Sequence, residues 1–154
     1  MSRLLDGGYE LDDDPGRLDV EAIHRFISEI SYWGRGRSRE RVLATIAGSH
    51  RVMGLYHEGA QVGFARAISD GVTVAYLADV YVLEAHRGRG LGLELVREII
   101  LGEGAPDVHW LLHTADAQGL YERLGFHEGP ARYPLMERAR PSGDMVEAPG
   151  LGAG

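Results

Sequence analysis

Cysteine is absent from the 154 residues, which excludes a disulfide framework, a thiolate metal site and a cysteine-bound acyl intermediate. No run of about 18 apolar residues exists to cross a bilayer. The opening Met1-Ser2-Arg3-Leu4-Leu5 meets Asp6, Glu10 and Asp12 instead of a signal-peptide core. A cytoplasmic protein without membrane association is therefore expected. Positive charge is scarce: 16 Lys plus Arg against 23 Asp plus Glu leave a net charge of −7, which opposes nonspecific binding to phosphate backbones and is compatible with a cationic substrate. Basic residues do not interleave with aromatics beyond residues 35–41, so no nucleic-acid partner is expected. What is present is a 44% hydrophobic content, enough for one domain to bury a core.

Periodicity divides the chain into a strand near 9–11, a helix over 20–30 capped by Asp19, and a second helix capped by Ser38 and closed by Gly48. An alternating pattern then predicts a three-strand antiparallel meander over 51–56, 61–68 and 72–82, in whose last strand Ala78, Val80 and Val82 point one way and Asp79 and Tyr81 the other. A helix with Leu91, Leu95 and Ile99 on one side follows, then a strand over 108–113, a helix over 117–124 and a strand over 126–137. The expectation is an α+β, three-layer fold in the order βααβββαβαβ, with a central mixed, mostly antiparallel sheet flanked by helices. It forms one domain over 1–140, and the Pro-, Gly- and Ser-rich stretch 141–154 is expected to be a flexible tail.

Between the meander and the next helix lies Arg87-Gly88-Arg89-Gly90-Leu91-Gly92. Three glycines at alternate positions let backbone N–H groups approach an anion at a helix N-terminus, and two arginines add charge. That combination suits a pyrophosphate. A nucleoside triphosphatase loop would end in Gly-Lys-Ser/Thr, and a dinucleotide fingerprint would have other glycine spacing and an early parallel βαβ unit; neither is present.

The stretch from Val82 to Gly92 resembles the signature of the GNAT superfamily of acetyl-CoA-dependent N-acetyltransferases, in which a strand leads to Arg/Gln-x-x-Gly-x-Gly/Ala. Leu120-Tyr121-Glu122-Arg123-Leu124-Gly125-Phe126 is similar to its second hallmark, a helix bearing Tyr before Gly-Phe. Residues 30–38 resemble a segment of small bacterial members. The resemblance implies that acetyl-CoA is the co-substrate. Backbone groups of Val80, Tyr81 and Val82 would pair with its pantetheine arm, and Arg87, Gly88, Arg89, Gly90, Leu91, Gly92 and Leu93 would hold its pyrophosphate. It also implies that the strand before the loop splays from the next one to admit the thioester. Thr114 stands where many members carry a cofactor-contacting Asn, and Glu84 where Pro is frequent.

Transfer from a thioester to an amine needs a neutral nucleophile, a donor to the developing oxyanion and an acid for the thiolate. Tyr121 resembles the family's acid, and the Val82 amide is the candidate oxyanion donor. Asp79 is the leading base, with a substrate-orienting role equally open; His109 and His113 are the alternatives. Tyr32 and Trp33 are candidate substrate-binding residues that could equally cover the core, with Arg35, Arg37 and Tyr133 near the same site. Arg35, Arg37, Arg39 and Arg41 suit an acidic acceptor, the cofactor's phosphates or a solvated basic surface. No metal is expected: His109 and His113 alone have helical-zinc spacing, but on a strand they stand about 13 Å apart. The function read here is acetyl transfer to a primary amine of a small molecule or peptide, through a ternary complex. The alternative is a degenerate module that senses acyl-CoA. A homodimer is implied by resemblance alone.

Overall fold

The computed structural model describes residues 1–129 and 135–138. Among the described residues six strands form a single sheet: β1 (Ser2–Leu5), β2 (Tyr9–Asp12), β3 (Arg51–His57), β4 (Ala60–Ser69), β5 (Val74–Val82) and β6 (His109–Leu111). They lie in sequence order; β1 to β5 pair antiparallel and β5 pairs parallel with β6. The helices are α1 (Val20–Arg25), α2 (Arg39–Ala47), α3 (Leu91–Leu101) and α4 (Gln118–Glu122). This is the expected α+β fold, a mixed and mostly antiparallel sheet flanked by helices.

Local signals account for most boundaries. The Asp19 carboxylate accepts from the Ala22 amide at 2.9 Å and the Ser38 hydroxyl from the Arg41 amide at 3.3 Å, satisfying donors that the first helical turns leave open. The helix expected over 20–30 is α1 continued by a wider π turn, Phe26–Ile30, whose last bond runs from the Ser31 amide to the Phe26 carbonyl at 2.9 Å.

Each sheet face carries its own core. On one, α3 buries Leu91, Leu95, Val96, Ile99 and Ile100 against Leu11, Met53, Leu55, Ala65, Leu77 and Val82. On the other, Ile23, Phe26, Ile27 and Val42 meet Val52, Phe64 and Tyr81. Burying a side chain such as Leu95 or Ile99 contributes about 1.5–3 kcal/mol. Arg51, itself buried, donates to the Glu98 carbonyl at 3.1 Å and places its charge at the C-terminus of α3.

Three expectations change. Strand β1 was not anticipated; it pairs along β2 through the turn at Asp6–Gly8. The strand expected over 108–113 is shorter, His109–Leu111. Of the strand expected over 126–137, residues 126–129 and 135–137 are irregular, and 130–134, with Tyr133 among them, lie outside the described residues, as does the stretch 141–154.

Candidate active site

β6 accompanies β5 for only three residues, from Val74↔His109 to Tyr76↔Leu111. Beyond Tyr76, β5 runs on to Val82 while β6 ends, so the two strands splay and, among the described residues, one edge of β5 is left without a strand partner. The other edge is held closely by β4. A Cβ built on Gly63 would stand 2.9 Å from the Tyr81 carbonyl oxygen, closer than real side chains come, so glycine permits this approach.

At the end of β5 the chain turns through a single 3-10 turn, Glu84–His86, into the glycine loop. His86 is anchored there, its Nδ1 2.8 Å from the Tyr9 hydroxyl on β2. Gly88 and Gly90 adopt φ of 75° and 74°, and a Cβ on either would meet nothing within 4 Å. Both therefore expose backbone to open space. Gly90 begins α3 with no side-chain cap, so the first amides of this helix are not claimed by a side chain. Leu91 and Leu93 are buried, and Leu91 anchors the start of α3 in the core. Gly92 packs against Leu120 of α4, with 3.1 Å to a built Cβ. Arg89 is exposed, whereas Arg87 also has a local task, its Nε donating to the Val82 carbonyl at 2.9 Å. These features fit a pyrophosphate on the loop and an extended arm along β5.

Tyr121 on α4 is buried, its ring edge-on to Phe126 at 5.9 Å between centroids. Burial pushes its hydroxyl pKa up to about 12, with smaller contributions from Tyr32, Asp116 and Tyr76. Its place in a cavity lined by Trp110 and Leu111 of β6 sets Tyr121 close to where β5 and β6 part. That cavity, of about 270 Å³, is also lined by His113, Thr114 and Phe126. The Thr114 hydroxyl accepts from the Ala117 amide at 3.0 Å, fixing the turn into α4. His113 stands at the same opening, Nδ1 2.6 Å from the Tyr76 hydroxyl. His109 is at the closed end, its amide donating to the Thr73 carbonyl at 3.3 Å.

Tyr32 and Trp33 do come together, their rings perpendicular at 5.1 Å. Tyr32 is 42% exposed and accepts from the Ala115 amide at 3.1 Å. The Trp33 indole donates to Asp79 Oδ1 at 3.1 Å while its ring lies 6.2 Å from Phe26. Arg35 is exposed, Arg37 turns inward to Asp79 at 2.7 Å, and Arg39 pairs with Glu21.

Asp79 departs most from expectation. Strand β5 bulges there, so Val80 and Val82 share the α3 face with Leu77, and Ala78 does not continue their row. The carboxylate reaches inward, Oδ2 taking Arg66 Nε at 2.6 Å in addition to Arg37. Burial alone would raise its pKa, but the hydrogen bonds and charges of Arg37 and Arg66 outweigh that and hold it below the usual carboxylate value. Such a group is a poor base, and its oxygens are already occupied. Arg66 and Tyr76 were not singled out from the sequence. An arginine within the apolar run Val62-Gly63-Phe64-Ala65-Arg66-Ala67 was the available signal, because a buried guanidinium demands a carboxylate.

Residues 48–128 match the family model of the acetyltransferase (GNAT) domain. A Gibberella zeae protein described as a candidate acetyltransferase is 33% identical over 94% of this chain and 92% of its own length. The crystal structure of a candidate GNAT-family acetyltransferase from Xanthomonas campestris is similar at a TM-score of 0.76 with 38% identity, covering 86% of this chain and 94% of that one. One from Deinococcus radiodurans, 22% identical with a TM-score of 0.67 over 88% and 93% of the two chains, shares the fold. The family model covers more than half of the chain and includes the splayed strand, the glycine loop and Tyr121: this protein belongs to the GNAT acetyltransferase family.

Proposed function

We propose that the protein transfers the acetyl group of acetyl-CoA directly to a primary amine of a small molecule or peptide. One observation carries this reading: the free edge of β5 leads into an uncapped, glycine-lined helix N-terminus, with Tyr121 close to where the edge opens. Acetyl-CoA supplies an acyl group activated as a thioester.

The chain's residues divide the remaining work. Amides of residues 88–93, with Arg87 and Arg89, hold the pyrophosphate, and the helix dipole of α3 adds to the attraction. Val80, Tyr81 and Val82 align the pantetheine arm along β5, the Val82 amide donating to the carbonyl oxygen on which negative charge develops. Tyr121, with its pKa near 12, remains a phenol at neutral pH and can donate to the departing sulfur. His113, tied to Tyr76, is the side chain at the opening suited to take the amine proton. Tyr32 borders the acceptor side. Thr114 acts on the cofactor side through the turn it fixes.

Thiol release from acetyl-CoA, measured with polyamines, aminoglycosides, amino acids and N-terminal peptides, tests the proposal. Acceptor-dependent release should fall at least about tenfold in Tyr121→Phe. Tight acetyl-CoA binding without turnover on any acceptor would support a sensing module instead.

A further inference from the structure

Strand β5 changes parity along its length. Just before it starts, the Thr73 carbonyl accepts from the His109 amide, so odd-numbered backbone groups face β6 there. Just past its end the Leu83 amide donates to the Val62 carbonyl at 2.8 Å, on the β4 side. Even-numbered Val82 and Val80 consequently present their backbone to the edge that β6 leaves. Side chains switch in step: Leu77 packs beneath α3, and after the switch Val80 and Val82 do so, while Tyr81 stacks on Phe26 at 3.8 Å on the opposite face.

The switch falls at Asp79. Register passes from Phe64↔Tyr81 to Arg66↔Ala78, so Asp79 and Val80 together oppose Ala65. Asp79 has φ of 52°, a left-handed conformation that Asp and Asn adopt more readily than other residues with a side chain. Its side chain is 3% exposed and clamped by donors from two other parts of the chain: Arg66 on β4, and Trp33 and Arg37 on the loop between the first two helices.

We infer that Asp79 is a positioning residue of the cofactor cleft: held by Arg66, Arg37 and Trp33, it maintains the bulge that turns the amides of Val80 and Val82 to the free edge of β5. This rests on the proposed docking of acetyl-CoA along that edge. With residue 79 in an ordinary extended conformation the strand would keep its parity. Tyr81 would then offer its amide to the cleft and swing its ring away from Phe26 into the α3 face. The carboxylate acts on the reaction through the backbone, never by touching the substrate.

The test compares wild-type protein with Asp79→Asn and Asp79→Ala, by calorimetric titration with acetyl-CoA, steady-state kinetics across pH, and thermal melting. Asn tolerates the left-handed conformation and can still accept a hydrogen bond, whereas Ala offers neither. Acetyl-CoA Kd should rise at least about tenfold in Asp79→Ala and at most about threefold in Asp79→Asn, and the pH profile of kcat should keep its shape in Asp79→Asn. A fall in kcat of about a hundredfold in Asp79→Asn, with Kd unchanged and the acidic limb of the profile lost, would overturn the inference in favour of a proton-accepting Asp79. An unchanged Kd in folded Asp79→Ala would overturn it too. Should Asp79→Ala fail to fold, Trp33→Phe removes only the indole donor: binding weakened by about two- to fivefold supports the clamp, and unaltered binding refutes it. Wild-type protein that does not bind acetyl-CoA would defeat the proposed function and this inference together, a result distinct from any of the variant outcomes.

Discussion

The hydroxyl of Tyr32 accepts a hydrogen bond from the amide of Ala115 at 3.1 Å, across 83 positions of sequence. It joins the loop that follows the first helix to the loop that follows β6, and so links the two sides of the splay.

Tyr32→Phe removes this link and keeps the ring beside Trp33. Stability should fall by about 0.5–1 kcal/mol in urea unfolding. Acetyl-CoA KM should stay within about twofold, and acceptor KM should rise if Tyr32 borders the acceptor side as proposed.

Gly90→Ala separates backbone cost from ligand contact. Its φ of 74° costs Ala about 1–2 kcal/mol although no atom blocks the new methyl. Gly59, in the β3–β4 turn at φ 80° and equally unobstructed, is the matched control. Both variants should lose similar stability in thermal melts. Acetyl-CoA Kd should rise about tenfold or more in Gly90→Ala alone, since on the proposed docking the methyl would stand where backbone amides meet the pyrophosphate.

Acid stability should carry the signature of Asp79. Its folded-state pKa lies below the ordinary value, so its contribution is fully present above an unfolded pKa of about 3.9 and is lost as pH falls through the lower folded value. The stability difference between wild type and Asp79→Asn, measured by denaturant unfolding, should be constant from neutral pH down to about pH 5 and shrink below pH 4. A difference that instead grew on acidification would contradict the sign of this linkage.

Much of the molecule was legible because its signals are local. Asp19 and Ser38 cap the helices they were expected to cap, since a cap and its amide lie three positions apart. The open turn of the glycine loop could be read because its shape depends on Gly88 and Gly90 themselves. The hairpin of β1 escaped notice: Ser2-Arg3-Leu4-Leu5 shows no clear period and gains its definition by pairing along β2. Ala78 left the row of Val80 and Val82 for a related reason: strict alternation was assumed, and a bulge shifts alternation without leaving a mark in the local pattern.

By itself, the sequence determined the meander, the apolar face of α3, the glycine-lined helix start and Tyr121 just before Gly-Phe, each of which depends on residues within a few positions of one another. Only the tertiary structure decided how far β6 follows β5, which side chains reach the opening between them, and what surrounds Asp79. The carboxylate finds partners 13, 42 and 46 positions away, and a buried charge is defined by the groups that compensate it rather than by its neighbours in the chain.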